Sequence, residues 1–276
     1  MNNEKDIIEK LIGSRYHEIT TDDTGGNSRA YIIDGGKIVF KFPRNDQVTY
    51  DNEARILQTI NKIKTNVKLQ KVGWQSNDNK YIGILGVTGK SINNSQLKSE
   101  QKRHIGEKVG KFLKELHKIK TDLVPSLSLS EEIKAWQERY LSYKEIINPH
   151  LNPNMQKMLN KLMLQDMPRD LNNLGEDMVF CHGDLGDNNI FIDKDEVGII
   201  DFNESGYLDR AADFMDISDD EILRYILDSY GADDILRKKV QIRRKIRPVI
   251  ALPFYISKGD KLKVKKAINK IIINLS

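Results

Sequence analysis

The sequence predicts an α+β chain of two lobes, a small antiparallel-sheet amino-terminal lobe at residues 1–89 and a larger, mainly helical lobe at 90–276. Three observations lead there. Residues from about 15 to 42 alternate with a period of two, the mark of strands with one buried face. After Gly89 the apolar residues recur at helical spacing instead. At 276 residues the chain is long for one core and comfortable for two.

The elements follow in order. Ile7, Ile8, Leu11 and Ile12 share one side of a short helix over residues 5–12. Ala30–Ile33 and Lys37–Phe42 flank Asp34-Gly35-Gly36, a turn that tolerates positive φ, and read as a hairpin. In its second strand Ile38, Phe40 and Phe42 share a face, leaving Lys41 on the opposite one with Val39. Residues 47–64 read as a helix carrying Glu53, Leu57, Ile60 and Lys64 at helical spacing. Strands at Lys71–Gln75 and Lys80–Val87 surround the polar turn Ser76–Asn79. Beyond Gly89, one helical stripe contains Ile105, Val109, Phe112, Leu113 and Leu116. A second contains Ile133, Trp136, Tyr140, Tyr143 and Ile147 and is entered by Ser128-x-x-Glu131, a capping box. Asn152-Pro153 supplies an N-cap and a first-turn proline for a third helix. Strands return at Met178–Cys181, Ile190–Ile192 and Val197–Ile200. Ser218-x-x-Glu221 opens a helix running to Gly231, and two helices finish the chain.

Composition narrows the setting. Hydrophobic residues at 39% and charged residues at 30% describe an ordinary soluble domain, and no apolar run is long enough to span a bilayer. The first ten residues are polar and charged, which excludes a secretory signal there. Cys181 is the only cysteine, so intramolecular disulfides and four-cysteine zinc sites are excluded, and its place at the end of an apolar strand suits packing. The expectation is a cytoplasmic protein. The net charge of +4 hides a segregation: residues 177–221 hold fourteen acids against Lys194 and Arg210, while residues 237–276 hold thirteen bases against Asp260. The basic block lacks the interleaved aromatics of a nucleic-acid surface and reads as a solvated helix face.

The residues that carry chemistry are His182-Gly183-Asp184-Leu185-Gly186-Asp187-Asn188-Asn189, followed after an apolar strand by Asp201-Phe202. Phosphoryl transfer from a nucleotide needs those parts in that order. Asp184 is the candidate base that accepts or orients a hydroxyl proton. Asn189 offers an amide oxygen and Asp201 a carboxylate to Mg²⁺, the latter bridging metal and phosphates. His182 reads as a structural hydrogen-bonding residue and Asp187 as a loop residue. Upstream, Lys41 on a strand and Glu53 on the next helix fit a lysine that contacts the α/β-phosphates and an acid that orients it. Thr24-Gly25-Gly26-Asn27-Ser28 can bring backbone N–H groups and the Ser28 hydroxyl to phosphate. Backbone groups near Leu85 and Val87 can meet an adenine edge. Gly89-Lys90-Ser91 is not a P-loop, because the required first glycine falls on Ile84.

These motifs resemble the aminoglycoside phosphotransferases, within the eukaryotic-protein-kinase-like small-molecule kinases. The resemblance lies in Cys181–Phe191 (CHGDLGDNNIF), Gly198–Phe214 (GIIDFNESGYLDRAADF) and Leu113–Ile119 (LKELHKI), with Lys41 and Glu53 in matching surroundings. It implies a two-lobed protein-kinase-like fold with Asp184 catalytic, Asn189 and Asp201 as magnesium ligands, Lys41 on the nucleotide phosphates and Asp213 bracing the loop. The implied activity moves the γ-phosphate of ATP or GTP, with Mg²⁺, to a hydroxyl of a cationic small molecule, an aminoglycoside, and so gives antibiotic resistance. Other acceptors on the same scaffold are a macrolide, choline or a metabolic amino-sugar, and a catalytically silent nucleotide-binding regulator is the reading from another class. Intact Lys41, Asp184, Asn189 and Asp201 speak against silence. No membrane, nucleic acid or obligate protein partner is expected. Two departures stand out. Asn203 occupies a position that is glycine in many relatives, and the carboxyl-terminal helices are strongly basic although a polycation wants carboxylates around it. Asp216, Asp219, Asp220 and Glu221 are the candidate receivers of that cation, with a dipole-favoured helix start as the other reading.

Overall fold

The computed structural model of the protein describes residues 2–14, 16–23, 28–45, 48–78 and 80–275. Helix α1 (Asn2–Ile12) precedes strands β1 (Ile19–Asp22), β2 (Ser28–Ile33) and β3 (Ile38–Pro43). The β2–β3 turn holds Asp34, Gly35 and Gly36 at φ of 48°, 66° and 94°, the positive values the glycines were expected to permit. Helix α2 (Asp51–Ile60) is shorter than the 47–64 read from the sequence. The Asn61 side chain ends it by donating to the Leu57 carbonyl at 2.8 Å, and the expected first residue, Gln47, lies outside the described residues. Next come β4 (Lys68–Leu69), β5 (Lys71–Gln75), β6 (Ile82–Leu85) and β7 (Lys90–Ser91). Helices α3 (Ser99–Leu116), α4 (Leu129–Ile147), α5 (Pro153–Lys161) and α6 (Met167–Asn173) follow. The caps of α4 and α5 are the expected Ser128–Glu131 box and Asn152, which accepts from Met155 N at 2.9 Å. Then come β8 (Met178–Cys181), β9 (Ile190–Asp193), β10 (Glu196–Ile199), β11 (Gly206–Asp209), α7 (Asp220–Tyr230), α8 (Asp234–Ser257) and α9 (Lys261–Leu275).

The chain forms two compact units. The first gathers Met1–Leu123, Asp187–Ser205 and Asp219–Tyr230. Its antiparallel sheet runs β1-β2-β3-β6-β5, with Tyr31, Ile33, Phe40 and Phe42 buried beneath α1 around Ile8. A second sheet runs β4-β10-β9-β7, in which β4 is parallel to β10 and the other pairs are antiparallel. Helices α3 and α7 lie close together at Gly106 and Gly110, where an added Cβ would collide with α7.

The second unit gathers Val124–Gly186, Gly206–Ser218 and Gly231–Ser276. Helices α4, α5, α6, α8 and α9 enclose a core containing Trp136, Tyr140, Met163 and Ile271, beside the small β11-β8 sheet. Four charged residues are buried together in this unit. Arg243 donates to both Glu132 oxygens at 2.8 and 2.6 Å and lies over Trp136, and Lys239 pairs with Asp209. The basic tail is therefore only partly the solvated face read from the sequence, because α8 turns Lys239 and Arg243 inward onto these acids.

Candidate active site

In the first unit, alternation along β3 sends Phe40 and Phe42 into the core and Lys41 to the other face. There the Lys41 ammonium meets Glu53 Oε1 of α2 at 2.6 Å, with both side chains largely buried. A pair so withdrawn from water is screened far less than a surface bridge and fixes the lysine in one orientation. Ser28 Oγ lies 2.9 Å from the Tyr50 hydroxyl. Burial raises the Tyr50 pKa to about 12, against a smaller downward pull from Ser28. Thr24–Asn27, the rest of the glycine-containing loop, lies outside the described residues. Leu85 ends β6 with its backbone between β3 and β5 and its side chain exposed. Val87 is buried against Gly198 of β10, where a Cβ would strike it. Lys90 and Ser91, after Gly89, form strand rather than a phosphate loop, pairing with β9 at Lys90–Ile192 and Ser91–Phe191. Ser91 Oγ also donates to the Asp187 carbonyl at 3.0 Å.

Asn189 and Asp201 stand at the same end of the β9–β10 hairpin. Ile190 faces Ile199 in the ladder, and one residue further Ile200 N donates to the Asn189 carbonyl at 3.1 Å. Asp201 has φ of +67°, a left-handed conformation that costs a non-glycine residue of order 1–2 kcal/mol. Its backbone N–H donates to Gln70 Oε1 at 2.8 Å, and its Oδ1 accepts from Asn203 Nδ2 at 2.7 Å. Asn203, the departure noted in the sequence, thus holds the carboxylate. Nothing in the sequence pointed to Gln70. An amide oxygen and a carboxylate are hard donors of the kind Mg²⁺ takes, and two protein oxygens leave places for phosphate and water. The donor set fits that ion.

The acidic cluster divides between the units. Asp219 caps α7, accepting from Glu221 N at 2.9 Å and Ile222 N at 3.0 Å, which corrects the cap read at Ser218. Its carboxylate also meets Lys102 of α3 at 2.7 Å, and Glu221 meets the same lysine at 3.3 Å. Burial pushes the Asp219 carboxyl up, but Lys102 and the helix N–H groups outweigh it, so its pKa lies below the usual value. Asp220 is the first residue of α7. Asp216 belongs to the second unit, where it pairs with Arg247 of α8.

The second unit also carries Asp184. Asp213 is fully buried and accepts from His182 N and Gly183 N, each at 2.9 Å, bracing the loop from below. His182 Nδ1 accepts from Asp184 N at 3.3 Å, which requires its proton on Nε2. Gly183 has φ of +84°, open to glycine. Gly186 bridges to Asp216, so the Asp216–Arg247 pair adjoins the loop two residues from Asp184. Cys181 is buried with its thiol pKa raised, first by burial, which fits packing rather than nucleophilic chemistry. Among the described residues no helix is long and apolar enough to cross a membrane.

An antiparallel sheet with Lys41 paired to Glu53, joined in sequence to a braced H-x-D-x4-N loop and a D-F strand end, defines a kinase-like phosphotransferase fold. The family profile described as "Phosphotransferase enzyme family" matches residues 19–240, and the chain belongs to that family. Solved structures agree on the fold. APH(2")-IIia in its complex with GDP and kanamycin superposes with a TM-score of 0.76 at 18% identity, covering 99% of this chain and 98% of that one. Macrolide 2'-phosphotransferase MphH from Brachybacterium faecium gives 0.69 at 15% identity, with 98% of each chain covered. Spectinomycin phosphotransferase APH(9)-Ia, in complex with ADP and spectinomycin, gives 0.67 at 14%, covering 99% of this chain and 98% of that one. Identities this low establish the fold and leave the acceptor open.

Proposed function

We propose that this protein transfers the γ-phosphate of ATP or GTP to a hydroxyl of an aminoglycoside, conferring resistance in the cytoplasm. Residues 1–89 then bind nucleotide, and residues 90–276 supply the catalytic loop and the acceptor site. The observation that carries the reading is the Lys41–Glu53 pair at 2.6 Å, since a half-buried lysine oriented in this way has an evident use on phosphates. Lys41 contacts the α/β-phosphates, Ser28 and the backbone of its loop cover them, and backbone groups at Leu85 and Val87 meet the base. Asp184 takes the hydroxyl proton as the acceptor oxygen bonds to the γ-phosphorus. The bond from that phosphorus to the β-phosphate oxygen breaks, and nucleoside diphosphate leaves. Asn189 and Asp201 would hold Mg²⁺, whose charge neutralises the phosphate oxygens when it is bound. Asp213 keeps the loop backbone in place throughout.

A second acceptor class is favoured by the state of the acidic cluster. Asp216, Asp219 and Glu221 are already paired with Arg247 and Lys102, so less negative charge is left for a polycation than the sequence suggested. A less cationic alcohol, such as a macrolide or an amino-alcohol, fits that balance. The test is nucleoside diphosphate release by the purified protein with ATP and GTP across aminoglycosides, macrolides and amino-alcohols. Acceptor-dependent release with aminoglycosides alone supports the first reading, and release only with weakly charged alcohols replaces it with the second. No acceptor-dependent release across the panel would count against both.

A further inference from the structure

Strand β10 ends at Ile199, and two residues later the Asp201 N–H finds its acceptor in a side chain. Strand β4 lies parallel to β10 with Leu69 opposite Ile199, which brings Gln70, the next residue, to the end of the ladder. Gln70 Oε1 takes the Asp201 N–H at 2.8 Å, just beyond the last β4–β10 pair. Gln70 is 7% exposed, so water competes little for that oxygen. The backbone of Gln70 is held in turn. Asn61 Nδ2 donates to its carbonyl at 2.7 Å and to the Leu57 carbonyl, in the last turn of α2, at 2.8 Å. Helix α2 also carries Glu53. Hydrogen bonds through Asn61 and Gln70 therefore link the helix that carries Glu53 to the backbone of Asp201, a residue in a left-handed conformation that costs a non-glycine residue energy.

We propose that Gln70 is a positioning residue for Asp201, fixing the backbone from which its carboxylate is presented to a divalent cation before nucleotide arrives. The inference rests on the phosphotransfer reading, in which Asp201 is a metal ligand. Outer partners that orient a ligand are worth as much as tenfold or more in metal affinity, although they never touch the ion. Gln70 contributes no atom to the metal, and it acts through the Asp201 main chain.

The test compares wild type with Gln70→Met, which keeps length and bulk but removes the acceptor. Mn²⁺ binding to the protein with a non-hydrolysable ATP or GTP analogue is measured by titration calorimetry. Affinity should fall about tenfold in the variant. Binding of the analogue without metal should change less than about twofold, since Lys41 and Glu53 are intact. Equal Mn²⁺ affinity in both proteins overturns the inference and leaves the phosphotransfer reading standing, even if the variant melts earlier. Failure of wild type to bind Mn²⁺ with either analogue overturns the phosphotransfer reading and this inference with it. Amide hydrogen exchange on wild type gives a result independent of whether the variant folds. The Asp201 amide should be protected in the nucleotide-free protein, and exchange at the rate of an open loop overturns the inference.

Discussion

Asp184 reaches its position through neighbours rather than through a regular element. The buried Asp213 carboxylate fastens the two residues before it, and the ring of His182 takes its own N–H. One buried acid, Asp213, thus holds the backbone that leads into a second acid, Asp184. Asp184→Asn keeps the shape and removes the proton acceptor. Steady-state kinetics should show kcat lower by about 10²–10⁴ while nucleotide affinity measured by titration stays constant. Near-normal turnover in a folded variant would take Asp184 out of the base role. At this scale the motif His182 to Asn189 and Asp201 was legible as a pattern, and Asp213 bracing the loop is the part of that reading that the hydrogen bonds bear out. The sequence was silent on Gln70, because a glutamine in a two-residue strand belongs to no motif and gains its partner only when β4 finds β10.

Among the elements, α7 shows why a cap cannot always be assigned from spacing. Ser218-x-x-Glu221 fits the capping-box pattern, yet Asp219 sits one residue nearer the helix and offers an acceptor with full charge to the same N–H groups. Asp219→Ala should therefore lower stability to denaturant by about 1 kcal/mol at neutral pH. Since its folded pKa is depressed, that contribution is complete above the unfolded carboxylate value of 3.8 and disappears as pH falls through the lower folded value. Denaturation curves of wild type and variant should draw together on acidification below that value. A constant difference would mean that the charge contributes nothing. Strands β8, β9 and β10 were legible within a residue or so from their apolar runs. Strands β4 and β7 were not, because two-residue pieces show no period and exist through distant pairing, and β11 (GYLD) has no apolar run to mark it.

Over the whole molecule, the opposed charge of residues 177–221 and 237–276 was plain in the sequence, but its use was not. Helix α8 answers the acids of its own unit, Lys239 on Asp209, Arg243 on Glu132 and Arg247 on Asp216, across separations that no local pattern reveals. A buried charge is tolerated only with its partners, so Glu132→Gln should cost about 3 kcal/mol in chemical denaturation by leaving Arg243 only Asp209, 3.5 Å away and already shared with Lys239. A loss under about 1 kcal/mol would show that water reaches this pair.

The same network sets an order for synthesis. Glu132 leaves the ribosome 111 residues ahead of Arg243, an interval of roughly 5–20 s at ordinary elongation rates. Through that interval Glu132 lacks the guanidinium it pairs with, and burying it alone would be unfavourable. The face of α4 that carries Glu132 is therefore favourably buried only once α8 has emerged. Trp136, over which the Arg243 guanidinium lies, waits for the same helix to complete its surroundings.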